Sequence, residues 1–246
     1  MRRCTLVLWL GLIAAAGWCA WAPAGSVAQD KEKQEKQDKP GSYVKPKNID
    51  YIRILPPPPP SGSPEERIEL EFVLLVQSRR TSADVERLKA HEKVRLDSFA
   101  DILGRRAQSG AAPQLEALLK RVEKDSKQIT EAAKEHFKRQ RPPRIDQRLQ
   151  PVLKLDDEPS YPSGHATRGM LFARLLADLA PEHEAALLRR GQEIGWSRVE
   201  ASLHFPSDVQ AGRTLGQAIA HYLLRNTEFQ IEWRQVRTEW TALTAK

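Results

Sequence analysis

Apolar residues recur every three to four positions along most of the chain from Pro64 onward, and this period is typical of amphipathic helices. No convincing stretch alternates apolar and polar residues with the period of two that predicts a β-strand. We therefore predict an all-α fold, a single helical bundle. The predicted helical segments are Ile68–Val76, Val85–Ile102, a helix that begins near Gln114 and ends at Pro142, Ser163–Ala180, Glu184–Arg198, Ser207–Arg225 and Phe229–Trp240.

Residues 1–28 have the layout of a signal peptide. Arg2 and Arg3 precede an uncharged apolar run, and the small residues Ser26-Val27-Ala28 form an exit of the kind that a signal peptidase cleaves. The apolar run is also close to the ~20 residues that span a bilayer, so an anchor through residues 4–28 is the alternative. We expect cleavage, which would place the mature chain in the periplasm or outside the cell, with no further membrane association.

Residues 29–64 lack the pattern of a folded segment. Charges of both signs alternate through residues 29–48 without apolar periodicity, which predicts a solvated, disordered tether. Five prolines, Pro56–Pro60, follow, and because proline fixes φ and removes a donor, they predict an extended arm on the domain surface. With 246 residues, of which 40% are hydrophobic, the chain suits one sizeable core, and we assign the helical domain to residues 65–246.

The remaining composition restricts the chemistry. Cys4 and Cys19 both lie in the leader, so the mature chain would have neither a disulfide nor a thiolate metal site. Loss of Arg2 and Arg3 from the 39 basic residues leaves 37 basic against 32 acidic residues, a net charge of +5. This mild excess suits anionic substrates or surfaces without selecting between them.

Three short segments carry the candidate chemistry. In the first, Lys134 and Arg141 are seven residues apart near the end of one predicted helix, which places both on one face, where a phosphate could contact both. Lys138, Arg139 and Arg144 are neighbours, so a solvated basic face is the alternative for this segment alone.

The second segment is Tyr161-Pro162-Ser163-Gly164-His165, which precedes an apolar helical run. The amides of Ser163 and Gly164 are therefore expected at a helix N-terminus, where unpaired N–H donors and the helix dipole attract anions. A structural N-cap is the plain alternative, and a nucleophilic serine is disfavoured because the G-x-S-x-G elbow is missing.

The third segment contains Arg198, His204 and Asp208. A carboxylate four residues after a histidine at a helix start can hold one ring nitrogen and leave the other free as a nucleophile or base. A two-histidine, one-carboxylate metal site made with His165 is the alternative, but three nearby cations would repel a divalent ion and suit a phosphate.

Together the three segments resemble the three-part signature of the type 2 phosphatidic acid phosphatase superfamily in order, spacing and gaps. Flanking residues, including the proline run and Ser207–Arg213, are similar to the secreted bacterial class A non-specific acid phosphatases, so that the resemblance covers about residues 51–225. The chain departs from that pattern at non-catalytic positions, namely Pro143, Pro159, Ala166 and Ser202. The signature segments are Lys134-x6-Arg141-Pro142, Pro162-Ser163-Gly164-His165 and Ser197-Arg198-x5-His204-x3-Asp208.

The resemblance implies a metal-independent acid phosphatase with no cofactor, which hydrolyses small phosphate monoesters through a phosphohistidine. In this scheme His204 attacks phosphorus, Asp208 orients His204, and His165 protonates the leaving oxygen. A bell-shaped rate profile shifted toward acid pH is expected, because one histidine must be neutral and the other protonated. The phosphate oxygens would be held by Lys134, Arg141, Ser163, Gly164 and Arg198.

Three other functions stay open at this point. A lipid or isoprenoid phosphate phosphatase shares the signature, and a vanadium haloperoxidase uses the same kind of site, because vanadate mimics phosphate. A non-enzymatic polyanion binder would use the basic surface alone and leave the His204–Asp208 spacing unexplained. We expect no nucleic-acid partner, and a homodimer is consistent with the resemblance.

Overall fold

Seven helices of nine or more residues occur in residues 42–90 and 92–244, the parts of the chain that the computed structural model describes, and these parts contain no strand. The predicted all-α fold is confirmed. None of these helices combines the length and the apolar character needed to cross a membrane. The helices are α1 (Pro64–Ser78), α2 (Ser82–Ala90), α3 (Pro113–Phe137), α4 (Gly164–Leu179), α5 (Glu184–Glu200), α6 (Pro206–Leu223) and α7 (Thr227–Thr244).

Shorter helical turns connect these elements. Three are α-helical turns of four residues, and four are 3₁₀ turns, which are common as connectors. The α turns are Tyr51–Ile54, Ala100–Leu103 and Pro142–Ile145, and the 3₁₀ turns are Pro46–Asn48, Leu96–Phe99, Gly104–Ala107 and Pro181–His183.

Helix α4 is the centre of the bundle, and α5 and α6 pack directly against it. Most of its residues are buried, as the nearly unbroken apolar run in its sequence predicts. Gly212 on α6 allows a close approach, since an added Cβ would lie 2.5 Å from the Ser163 carbonyl oxygen. This contact brings the start of α4 against α6, the helix that carries Asp208.

The tether prediction is wrong for the residues just before the proline run. Tyr43 and Val44 are buried in the main core, and Ile49 and Leu55 are buried with them. The Asp125 carboxylate accepts hydrogen bonds from the backbone amides of Tyr43 (2.8 Å) and Val44 (3.3 Å), which gives this segment the partners that its own sequence lacks. The predicted leader and the tether up to residue 41 lie outside the described residues.

Two predicted helices have different bounds in the structure. The segment 85–102 is divided, because α2 ends at Ala90 and a new turn begins where the Ser98 hydroxyl accepts from the Arg95 amide (3.1 Å). Helix α3 ends at Phe137, well before Pro142, because Lys138 adopts a left-handed conformation with φ 49° and its amide closes on the Lys134 carbonyl. The remaining helices agree with their predicted bounds within a few residues.

Candidate active site

His204 and Asp208 are joined by the first turn of α6. The Asp208 Oδ2 atom accepts from the Phe205 amide (2.8 Å) and therefore caps the helix, as a short acidic side chain at the third position commonly does. The same oxygen lies 3.3 Å from His204 Nδ1 and accepts from the Ser160 hydroxyl. The cap thus orients the carboxylate toward the imidazole.

The other nitrogen of His204, Nε2, lies 3.1 Å from Arg141 Nη1. Because a guanidinium only donates, Nε2 accepts this bond and Nδ1 carries the proton that faces Asp208. Burial, aided by the positive charge of Arg141, lowers the pKa of His204 to about 4, against the opposing effect of Asp208. The ring is therefore neutral in mildly acidic solution and keeps a lone pair on Nε2.

Arg141 contacts this histidine and Lys134 acts on it through its charge, although the two cations do not share a helix face. Lys134 lies in the last turn of α3, whereas Arg141 follows the turn at Lys138 in extended conformation, immediately before Pro142. The prediction of one shared face is wrong because the helix ends between them. Burial lowers the pKa of both side chains, and the positive charge of Lys134 contributes to the low pKa of His204.

Two acidic residues that sequence reasoning did not identify contact these cations. Lys134 Nζ donates to Glu158 Oε2 (2.9 Å), and Arg141 Nη2 donates to Asp156 Oδ2 (3.4 Å). Arg141 Nε also donates to the Glu158 backbone carbonyl (2.9 Å). The hydrogen bond from Lys134 lowers the pKa of Glu158, so this side chain is ionised at the site.

The Ser163-Gly164 turn lies at the start of α4, as predicted, but the two amides have different roles. The Ser163 amide donates to the Asp208 carbonyl (3.0 Å), so it is not available to a ligand in this conformation, which corrects the expectation for Ser163. The Ser163 hydroxyl caps the helix at the Ala166 amide. Gly164 is the first helical residue, and its amide has no acceptor within α4.

His165 and Arg198 complete the set. His165 Nε2 donates to the Glu92 backbone carbonyl (2.6 Å), and burial together with the charge of Arg198 holds the pKa of His165 well below its usual range. Arg198 is 2% exposed, and burial lowers its pKa to about 10. A positive charge on His204 would lower the pKa of His165 further, so the two rings are close enough to influence each other's protonation.

Among the described residues, no group of three or more His, Cys, Asp or Glu side chains is arranged to hold a metal ion. The carboxylate of Asp208 is directed at His204 Nδ1 and at hydrogen-bond donors, and His204 Nε2 is directed at a cation. The site therefore presents positive charge around a neutral imidazole, an arrangement suited to an anion.

Sequence reasoning also missed Arg139, Ser160 and Glu69. Arg139 was grouped with a solvated basic face, yet it is 6% exposed and donates to Asp208 Oδ1 (2.7 Å). Glu69 falls in the helical period of buried Leu70 and Val73 on α1, and this period was the available signal that an acidic residue faces inward.

The eight predicted site residues lie in the part of the chain that matches a known family. The model of the PAP2 superfamily matches residues 126–232. The chain is similar to the non-specific acid phosphatase of Providencia stuartii, with 30% identity over 207 residues that cover 79% of this chain and 82% of that protein. It is also similar to the acid phosphatase of Zymomonas mobilis, with 31% identity over 200 residues that cover 77% of this chain and 75% of that protein.

A solved structure has a similar fold. The first bacterial vanadium-dependent iodoperoxidase aligns with a TM-score of 0.56 over 72% of this chain, at 19% identity. The alignment covers 54% of the iodoperoxidase chain, so this protein matches about half the length of that one, and the likeness concerns the fold alone. On the sequence relatives, which cover more than three quarters of its length, the chain belongs to the PAP2 superfamily.

Proposed function

We propose that this protein is an acid phosphatase that hydrolyses phosphate monoesters through a phosphohistidine on His204 and needs no metal ion. One observation carries the proposal: a buried, neutral imidazole whose Nδ1 faces Asp208 (3.3 Å) and whose Nε2 faces Arg141 (3.1 Å). A phosphate that accepts the Arg141 hydrogen bond on its own oxygens would free this lone pair to attack phosphorus. The names of the sequence relatives support the reaction class.

The proposed reaction has two steps. In the first, His204 Nε2 bonds to phosphorus, the ester P–O bond breaks, and His165 gives its proton to the leaving oxygen. In the second, His165 takes a proton from water, the resulting hydroxide oxygen bonds to phosphorus, and the P–N bond breaks to release phosphate and neutral His204. Asp208 stabilises the imidazolium character that His204 acquires between the two steps.

In this scheme, fixed cations provide the charge stabilisation that a metal ion could otherwise provide. Negative charge on the non-bridging oxygens is stabilised by Lys134, Arg141 and Arg198, whose burial strengthens each interaction. Gly164 contributes an amide at the start of α4. The binding of a phosphate dianion also raises the pKa of His165, which enables this ring to carry the proton that it must donate.

The test is hydrolysis of a chromogenic phosphate monoester by the purified chain, with and without a chelator. We expect chelator-resistant turnover that falls at least about 10³-fold in His204→Ala and about 10²-fold in His165→Ala. His221→Ala is the matched control, since His221 is an exposed histidine on α6. Turnover that depends on an added metal, or that survives His204→Ala, would contradict the proposal.

The same preparation separates the alternatives. Activity confined to detergent-dispersed lipid phosphates would indicate a lipid phosphatase, and halide oxidation by the vanadate-loaded protein without monoester hydrolysis would indicate a haloperoxidase. Polyanion binding that survives His204→Ala, without turnover, would indicate a binding protein.

We also propose that the leader of residues 1–28 directs export to the periplasm or beyond and is then removed, and that the mature chain forms a homodimer. The pattern of the leader supports export. A mature N-terminus at Gln29, read by mass spectrometry, and a dimer in sedimentation would bear this out, whereas an intact leader in the membrane fraction would favour the anchor.

A further inference from the structure

Arg139 is a buried cation to which the proposed reaction gives no role. Its Nη1 atom donates to Asp208 Oδ1 and to Ser207 Oγ, both at 2.7 Å, and Nη2 donates to Glu69 Oε2 at 2.7 Å. The guanidinium carbon lies 3.7 Å from the centre of the Phe205 ring. A planar guanidinium satisfies this geometry because it donates along several fixed directions at once.

Glu69 supports the same place from α1. Its Oε1 atom accepts from the Ser207 amide (2.8 Å) and its Oε2 atom accepts from the Ser207 hydroxyl (2.8 Å). The Ser207 amide belongs to the first turn of α6, so Glu69 caps the helix that carries Asp208. Arg139 and Glu69 therefore hold both the side chain and the helix turn of Asp208.

The two carboxylate oxygens of Asp208 accept hydrogen bonds from different residues. Oδ1 accepts from Arg139, whereas Oδ2 accepts from the Phe205 amide and Ser160 and faces His204 Nδ1. The backbone carbonyl of Arg139 also accepts from the Ser160 amide (2.8 Å). Because Asp208 is fully buried, no water competes with these partners, and the bond to Arg139 prevents the carboxylate from rotating away from His204.

We propose that Arg139, held by Glu69, is a positioning residue that fixes the Asp208 carboxylate on His204 for phosphoryl transfer. The inference rests on the proposed function, since His204 must gain and lose positive character for the positioning to matter. Burial by itself raises the pKa of Asp208, but the His204 hydrogen bond and the charge of Arg139 bring it below its usual value. The carboxylate is thus kept ionised as well as oriented.

The first measurement is steady-state kinetics of Arg139→Met on a chromogenic monoester. We expect kcat to fall about 10- to 100-fold with KM changed less than about 3-fold, because Arg139 contacts Asp208 and not the substrate. Arg139→Lys keeps the charge and should recover part of kcat. Arg144→Met is the matched control, because Arg144 is an exposed arginine of the same basic segment, and its kcat should stay at the wild-type value.

A double-mutant cycle separates positioning from a general loss of structure. If Arg139 acts through Asp208, Arg139→Met should lower kcat less than about 3-fold in an Asp208→Asn background. Equal losses in both backgrounds would overturn the inference, and so would an Arg139→Met enzyme with wild-type kcat. A wild-type protein without phosphatase activity would instead overturn the proposed function, so the two failures are distinguishable.

Removing a buried cation among carboxylates could also prevent folding of Arg139→Met. If Arg139→Met does not fold, the kinetics are measured on Arg139→Lys and Glu69→Gln. The folding of both variants is checked by circular dichroism and thermal melting. Glu69→Gln should retain the fold and lose kcat several-fold, because Arg139 loses its second anchor. Wild-type kcat in both folded variants would overturn the inference.

Discussion

Substitution of Glu158 by Gln tests whether this carboxylate competes with phosphate for Lys134. Glu158 accepts from Lys134 Nζ at 2.9 Å, in the position where a phosphate oxygen would meet the ammonium in the proposed reaction. A bound phosphate and an ionised Glu158 therefore compete for one cation. The glutamine side chain keeps the shape but removes the competing charge.

The size of the effect follows from the exposure of the pair. The Glu158 side chain is 50% exposed, so it is screened by water even though Lys134 is buried. Pairs with such exposure contribute no more than about 1 kcal/mol. Since 1.4 kcal/mol is a factor of ten in binding, the inhibition constant of inorganic phosphate should fall by up to about five-fold in Glu158→Gln.

The assay is competitive inhibition of monoester hydrolysis by inorganic phosphate, at a pH where Glu158 is ionised in the wild type. Asp157→Asn is the matched control, because Asp157 is 99% exposed, lies next to Glu158 in the chain and pairs with Arg144 instead of Lys134. This control removes the same charge from the same loop and should leave the inhibition constant within about two-fold of the wild-type value.

Two results would refute this reasoning. Weaker phosphate binding by Glu158→Gln would mean that the carboxylate holds Lys134 in a binding position rather than competing with the ligand. An equal gain in Asp157→Asn would mean that the loop acts only through its overall charge.

Three further predictions concern pH and packing. The acid limb of kcat/KM should lie near pH 4, because below the pKa of His204, about 4, its Nε2 is protonated and cannot attack; an acid limb near 6.5 in the pH–rate profile would contradict this. Between about pH 6.5 and 4, the unfolded chain binds a proton at His204 and the folded protein does not. The melting temperature should therefore fall as the pH is lowered through this range, and it should fall less steeply in His204→Gln. Gly212→Ala should lose about 1–3 kcal/mol of unfolding free energy in urea, since its Cβ would press on the Ser163 carbonyl; an unchanged midpoint would show that the helices separate without cost.

The helices and the His204–Asp208 pair depend on local spacing, and for this reason they were predictable. A period of three to four residues places apolar side chains on one face wherever a helix forms. Likewise, a separation of four residues across a helix start keeps a histidine and a carboxylate within reach of each other. The family resemblance adds the order of the motifs, which local spacing does not determine.

The end of a helix and the burial of a segment could not be predicted in the same way, because they depend on contacts between distant parts of the chain. A left-handed residue at Lys138 ended α3 early, although nothing in the sequence marks that lysine. Likewise, the carboxylate of Asp125 buried Tyr43 and Val44, which lie more than 80 positions away, in a stretch that reads as a tether.

The sequence by itself determined that this chain is helical and that it carries an imidazole, a carboxylate and cations suited to a phosphate. Tertiary structure alone decided that Arg139 supports Asp208 and that Glu158 covers Lys134. Arg139 meets Glu69 across 70 positions and Asp208 across 69, so their contact follows from helix packing. The physical reason is that burial converts a charge that water would screen into one that must find a partner, and only the folded chain specifies which partner lies within reach.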